Sequence, residues 1–519
     1  MSNFITAMKD FTNFAVTENG AITHKTTKSD LLDMFAMGGA YRTRSDEDVI
    51  LMWRKAFAEN PVYALKCLFY LRDVRGGQGE RRFFRVAMKD LATYDYTSAE
   101  RNLKHIPEFG RWDDLYIFIG TPLEKEAFQI MKNQLALDME CKTPSLLAKW
   151  LKSINTSSAE SRDLGDRTRR AFGMTHKQYR KTLSILRARI NVLERLMSEG
   201  RWDEIEFDKI PSRAGMIYKN AFARHDIERM QNKAVQSYAD FAKDTTSKVN
   251  AKALYPYECV HEATKLCSGS RRSWYGYGYG NLPAMDDTNR LMVNKYWENL
   301  ADYFNGASFN GLCVVDTSGS MCGIEASAPI NVAISLGLYC AEKANGPFKN
   351  HYISFSSRPQ LIETEGVDFC DKVHRIWKTN LCENTNIEAT FDLILNTALA
   401  HRMSQADLPQ NIIIISDMEF DMATGTYDYG RNRNENITQK AQTLMEGIAQ
   451  KWKMNGYEVP HLIFWNVQAR QNNIPMLGNG RVSFVSGFSP SIFETIMSGK
   501  TGYDLMMEKL DSERYSVVG

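Results

Sequence analysis

The chain has 519 residues, 43% hydrophobic and 24% charged, with 64 lysines and arginines against 62 aspartates and glutamates. That length accommodates two or three cored domains. No apolar run is long enough to span a membrane, and Lys9 and Asp10 interrupt any early signal-peptide core, which argues against a membrane or secreted protein. The nine cysteines, an odd number without C-x-x-C spacing, argue for a reducing compartment and against a zinc ribbon, so a soluble cytoplasmic protein is expected.

The small net charge of +2 hides an asymmetry. Residues 1–300 carry 47 Lys and Arg against 38 Asp and Glu, a net +9, whereas residues 301–519 carry 17 against 24, a net −7. A basic first part suits polyanions, and an acidic second part suits holding a cation.

Residues 1–30 are polar and weakly patterned and read as a loosely held arm. Helical punctuation follows. Ser45 stands before Asp46, Glu47 and Asp48 as an N-cap with first-turn acids, opening a helix over 49–57. Asn60-Pro61 starts another, with Val62, Leu65, Leu68 and Phe69 on one face and Gly76-Gly77 as the stop. Further helices are expected over about 80–92, 123–140, 143–153, 176–198, 213–241 and 289–304, with hardly any strand-like alternation between them. Helix pairs with short polar loops predict an all-α bundle or helical-repeat solenoid over 31–300. A weak repeat, Gly110-Arg111-Trp112-Asp113-Asp114 and Gly200-Arg201-Trp202-Asp203-Glu204, fits the solenoid, and equally a glycine-capped helix end with a packed tryptophan.

Two basic clusters stand out. Residues 149–189 hold eleven basic residues and three acids, among them Arg167, Arg169, Arg170, Lys177, Arg180, Lys181 and Arg187. On the helix opened by Thr175, Tyr179, Leu183, Leu186, Ile190, Leu193 and Met197 share a stripe. Helical periodicity then points Lys177 and Lys181 away from it. The second cluster runs from Arg72 through Arg75, Gly76, Gly77, Gly79, Arg81 and Arg82 to Phe83 and Phe84. Arginine forks match phosphate, glycines admit a close backbone and aromatics stack on bases, so both clusters are candidate RNA contacts, or else solvated helix faces. The Gly/Tyr alternation at 274–280 reads as a linker or packed loop that could also stack on unpaired bases, and the domain boundary is set just beyond it, near 300.

The part from 301 alternates strand and helix: strands over 312–315, 349–355, 359–363, 411–416, 461–467 and 482–485, helices over 326–343, 387–401, 434–452 and from 489. That pattern predicts an α/β doubly wound sheet, whose ligands sit at the carboxyl ends of strands. There the apolar run 312–315 stops on Asp316, and Ser318 and Ser320 follow in the turn. One carboxylate with two hydroxyls is a hard, oxygen-only set suited to Mg²⁺, or to Mn²⁺ or Ca²⁺. The run 411–416 repeats the design and ends at Asp417, with Glu419 and Asp421 beyond it, which either deepen the negative field or are solvated. Cys322 and Cys382 fall near these turns and read as filler.

Asp-x-Ser-x-Ser, then a Thr, then an Asp, in that order, resembles the metal-ion-dependent adhesion site of von Willebrand factor A domains. The resemblance implies that Asp316, Ser318, Ser320, Thr385 and Asp417 surround the metal, with a partner's acidic group taking the open position. Together with a basic helical-repeat part, and with stretches such as 69–82 and 222–226, the whole resembles the Ro autoantigen (TROVE) family, nearer its uncharacterised bacterial, phage and plant relatives. That resemblance implies HEAT-like helical repeats closed into a ring over 31–300, an A domain over 301–519, and RNA, as single-stranded ends or small structured RNAs, for a partner.

No G-x-S-x-G elbow and no metal-spaced His pair occurs, and Ser498-Gly499-Lys500-Thr501 lacks the first glycine of a P-loop because Glu494 stands there. The expectation is therefore a non-enzymatic RNA-binding scaffold. The alternative is a protein-interaction adaptor whose metal site binds an acidic partner such as an AAA+ ATPase.

Overall fold

The computed structural model describes residues 8–9, 12–190, 192–232, 234–251, 254–268, 287–304, 306–307, 309–323, 325–344, 346–355, 358–378, 386–421, 443–477 and 481–519. A mostly helical region and a mixed, largely parallel sheet are both present, and no described helix is long and apolar enough to cross a membrane. The chain forms two compact units, Met1–Asn60 with Leu254–Ser512, and Pro61–Ala253 with Glu513–Gly519.

The first unit is built on six strands: β3 (Gly311–Asp316), β4 (His351–Phe355), β5 (Leu361–Glu363), β6 (Asn411–Ser416), β7 (His461–Asn466) and β8 (Val482–Ser486), in the spatial order β5-β4-β3-β6-β7-β8. All pairs are parallel except the edge pair β4 and β5. The central strands are apolar and buried on both faces, as a parallel sheet covered by helices requires. Helix Pro329–Lys343 lies so close on β3 that a Cβ at Gly337 would overlap the Val315 side chain, which makes a glycine necessary there. Helix Phe369–Lys378 is an element that the sequence pattern did not flag.

The limits of this unit differ from the expected boundary near 300. Helix Asp287–Glu298 belongs with the sheet: Trp297 stacks on Phe369 at 4.1 Å and donates Nε1–H to Glu342 at 2.8 Å, and Arg290 pairs with Asp368. Helix Pro256–Ser268 buries Cys259, Val260 and Ala263 in the same unit. The first 60 residues belong there too. The expected loose arm is instead a hairpin, Phe14–Val16 (β1) with Ile22–His24 (β2), and His24 and Ile474 exchange backbone hydrogen bonds of 2.9 Å. Helix Asp30–Met37 is buried from Leu31 to Met37, and Gly39 N–H donates to Ser486 Oγ at 3.0 Å. The Arg42 guanidinium covers the Phe488 ring at 3.7 Å from its centroid, a favourable cation–π contact. Hydrophobic patterning does not reveal the hairpin because most of the residues it buries, Asn13, Thr17, Thr23 and His24, are polar.

The second unit is helical. Several predicted long helices are broken by tertiary contacts. The span 176–198 divides into His176–Arg189 and Leu193–Ser198, the span 143–153 keeps only Leu147–Trp150, and helix Ala159–Ala171 was not anticipated. The span 213–241 stops at Arg224, because Asp226 turns to cap the later helix at Tyr238 and Arg229 is drawn inward to the carbonyls of Trp202, Ile205 and Gln236. Both copies of the Gly-Arg-Trp string begin a 3₁₀ turn at the tryptophan, over Trp112–Phe118 and Trp202–Glu204, and each turn receives a buried arginine. In the first copy Asp114 Oδ2 takes Arg72 Nε at 2.9 Å and Nη2 at 2.7 Å, while Oδ1 takes Arg85 Nε at 2.6 Å.

Arg72 and Asp114 are fully enclosed, at 1% and 0% exposure. Removing one member strands the other charge in a medium that solvates it poorly. Asp114→Ala is expected to cost about 3–5 kcal/mol, read as an earlier urea unfolding transition of the helical circular-dichroism signal; an unshifted transition would show that the pair does not hold this unit together.

Candidate functional site

Parallel pairing of β3 with β6, Val315 opposite Ile415, brings Asp316 at the end of β3 and Asp417, the residue after β6, to one sheet edge. Asp316 is wholly buried; its Oδ2 accepts from Ser416 Oγ at 2.5 Å and its Oδ1 from the Ser318 N–H at 2.9 Å. The Ser318 and Ser320 hydroxyls are 2.9 Å apart in the turn above it. After β6 the chain turns sharply through Met418, which holds a left-handed φ of 65°. A non-glycine residue adopts that strained conformation only where its surroundings enforce it. Ser416 Oγ enforces it in part by accepting the Met418 N–H at 3.0 Å.

Asp417 is 1% exposed and accepts the Glu419 N–H at 3.2 Å through Oδ1, while its buried Oδ2 takes no hydrogen bond. Burial, then the neighbouring charge of Asp417, pushes the Asp316 carboxyl up to about 7. Burial raises Asp417 as well, against the nearby Ser320 hydroxyl and the Glu419 N–H. Crowded, desolvated carboxylates are stabilised by nearby positive charge, and the Asp417 oxygen without a hydrogen bond faces the Arg470 guanidinium at 3.6 Å. Among the described residues no three Asp, Glu, His or Cys side chains converge to hold an ion by themselves, so the serine hydroxyls are needed to complete any set. Four of the five expected ligands, Asp316, Ser318, Ser320 and Asp417, belong to these two adjoining turns; Thr385 lies outside the described residues, just before helix Ile387–His401. Cys322 Sγ sits 3.7 Å from the Ser318 carbonyl, and Cys382, like the Gly/Tyr segment 274–280, lies outside the described residues.

Three residues at this edge, Glu18, Arg470 and Asn473, carry no motif signal. Arg470, in the loop after β7, donates Nη2–H to the Ser320 carbonyl at 2.6 Å, pairs with Glu18 at 3.2 Å and places Nε 3.6 Å from Asp417 Oδ2. Glu419 is buried rather than solvated, accepting the Glu18 N–H at 2.7 Å and Asn473 Nδ2–H at 2.8 Å, and burial pushes it up to about 7. The hairpin tip therefore rests on the turn beside Asp417, with Thr17 Oγ1 donating to the Phe420 carbonyl at 2.7 Å. No periodicity or spacing could have signalled these partners, which lie far apart along the chain.

A family model described as "Domain of unknown function (DUF2828)" matches residues 17–163 and 137–305, more than half of the chain. The protein belongs to the DUF2828 family. A second model, "Domain of unknown function (DUF7788)", matches residues 310–516 of this DUF2828 protein, beginning just before β3. The chain is 27% identical over 533 residues to "Uncharacterized protein L728" of Acanthamoeba polyphaga mimivirus, covering 94% of this chain and 85% of that protein. It also overlays on the crystal structure of the Deinococcus radiodurans Ro (RSR) protein with a TM-score of 0.46 and 13% identity, over 91% of this chain and 100% of that one.

The basic residues of the DUF2828 protein fall into two groups. Arg72 is consumed by Asp114, and the glycines beside it serve their own loop: a Cβ at Gly77 would overlap the Tyr70 carbonyl, and Gly79 has a φ of 65°. This corrects the phosphate role expected of Arg72, because its guanidinium does not reach solvent. Arg75 is held by Glu108, Arg82 is half-buried, and Arg81 is exposed. Arg167 pairs with Asp163, while Arg169 and Arg170 share Asp166 on helix Ala159–Ala171. Lys177, Arg180 and Lys181 are exposed and have no ion-pair partner among the described residues, whereas Arg187 is half-buried against backbone carbonyls.

Asn473 supplies one of the bonds that make a buried Glu419 tolerable. Asn473→Ala is expected to lower stability by about 1–3 kcal/mol, seen as a lower melting temperature by calorimetry, and Asn473→Asp to lower it further because it sets two carboxylates in contact.

Proposed function

We propose that this protein is a non-enzymatic RNA-binding scaffold, and that its sheet unit adds a metal-dependent contact to a protein partner. The observation that carries the RNA reading is the outer face of helices Ala159–Ala171 and His176–Arg189, where Lys177 and Lys181 meet solvent with no acidic partner among the described residues. Arg167 and Arg170 on the first of these helices make only short-range pairs within it. Water screens such surface contacts, and a phosphate readily replaces them. In this reading the helical unit is a HEAT-like repeat array that takes single-stranded RNA ends or small structured RNAs, as the Ro resemblance implies.

Each phosphate neutralised on a single strand contributes about −0.7 to the slope of log affinity against log salt. The triple variant Arg167→Glu, Lys177→Glu, Lys181→Glu is expected to reduce affinity for a single-stranded RNA at least tenfold and to flatten that slope by about 2. Filter binding over a salt series is the measurement, and an unaltered affinity and slope would remove the RNA reading.

The second contact has its own supporting observation, the buried Asp417 Oδ2, which accepts no hydrogen bond among the described residues and is approached by Arg470 at 3.6 Å, beside Asp316 and two serine hydroxyls. These residues suit Mg²⁺, with Mn²⁺ or Ca²⁺ as substitutes, and Thr385 is proposed as a further ligand. The ion, when bound, supplies a Lewis-acidic position open to a carboxylate of an acidic partner, for which an AAA+ ATPase is the candidate. Titration of the full chain with Mn²⁺, followed by electron paramagnetic resonance, is expected to show one bound ion that is lost in Asp316→Ala and in Asp417→Ala. Equal binding by the wild type and both variants would place the ion elsewhere.

A further inference from the structure

The helical unit contains a polar cleft of about 590 Å³. That volume is in the range of small-molecule sites. Its long wall is the second face of helix His176–Arg189. Lys177 and Lys181 lie on one side of that helix, and Arg180, Leu183, Ser184 and Arg187, spaced three and four apart, line the cleft on another. The opposite wall is the segment 149–155, with Lys149 and Ile154, and one end is closed by Val192 and by Arg195 of helix Leu193–Ser198.

The charge balance of the cleft is the informative feature. Lys149, Arg180, Arg187 and Arg195 face Glu194 and Glu199, an excess of two positive charges. Glu199 is engaged by Arg195 and Arg201, so it does not neutralise the others. Lys149 and Arg180 have no ion-pair partner among the described residues. Arg187 is half-buried and bonded only to neutral acceptors, the carbonyls of Ala148 at 2.9 Å and Leu151 at 2.8 Å and Ser153 Oγ at 3.0 Å. Those bonds use three of the five guanidinium N–H groups, and two remain. Burial holds its pKa below the usual arginine range, the sign of a cation that lacks compensation. A partly buried arginine without a carboxylate costs free energy unless an anion completes it.

We propose that this cleft binds the terminal phosphomonoester of a nucleotide. A phosphomonoester carries about −1.5 to −2 at neutral pH, which matches the excess, and its oxygens accept from an arginine fork and a lysine together. Ile154, Leu183 and Val192 give the ribose and base an apolar surface. The ligand has two sources, a free mononucleotide or the phosphorylated end of an RNA strand, and the second source rests on the RNA reading above.

The test is calorimetric titration of the full chain with 5′-AMP, 3′-AMP and adenosine, and with a short oligoribonucleotide carrying or lacking a terminal phosphate. The wild type is expected to bind a mononucleotide and not adenosine, and to prefer the phosphorylated strand. Lys149→Ala with Arg180→Ala, two changes that break no ion pair among the described residues, should weaken mononucleotide binding about tenfold or more, since each removes a charge-assisted bond. If neither mononucleotide binds, or if binding survives the Lys149 and Arg180 changes, the cleft proposal is overturned, whatever longer RNA does. If mononucleotides bind through the cleft but no RNA strand does, the cleft stands and the RNA reading falls.

Discussion

One aspartate ends β3 and another follows β6, and the parallel register between these strands brings both carboxylates to one desolvated sheet edge. Like charges in such a place repel and are poorly solvated, so everything around them is arranged to offset that cost. Ser416 and the Ser318 amide donate to Asp316, the Glu419 amide donates to Asp417, and the Arg470 guanidinium stands 3.6 Å away from the remaining oxygen. An edge of this kind is electrostatically costly, and that cost is the reason the metal contact is proposed here.

The same edge explains where the start of the chain goes. Residues 17–20 lie against the turn carrying Glu419 and Phe420, and Arg470 links Glu18 to the Ser320 carbonyl while its own carbonyl accepts from Arg44 at 2.6 Å. One arginine thus ties the hairpin tip, the serine turn and the segment before the helix Asp46–Glu59 into a single network. A change at the serine turn has a physical route to the hairpin through these bonds.

In the helical unit, a count of charges along the sequence overstates the charged surface. Arg72 and Arg229 are interior girders, one paired with Asp114 and the other held by carbonyls, and neither guanidinium is presented at the surface to meet a ligand. Arg187 occupies a middle position, part structural and part open. The positive surface comes from fewer side chains than the +8 of residues 149–189 implies, and it is divided between an outer face and a cleft.

The alternation of buried strands with helices, the aspartates at two strand ends and the serine spacing were all written in local patterns, because a parallel central strand must be apolar on both faces and must end where polar groups can reach the sheet edge. The stripe through Tyr179, Leu183 and Leu186 was equally plain, and those side chains are buried as its period requires. What only the tertiary structure decided were the pairings across long stretches of chain. The hairpin on the Asp417 turn, Arg470 at its side, the inclusion of helices before residue 300 in the sheet unit, and the sorting of arginines into buried and exposed all depend on which distant groups meet. Such meetings leave no periodicity in the sequence, since a hydrogen bond or ion pair between remote residues constrains two positions and nothing between them.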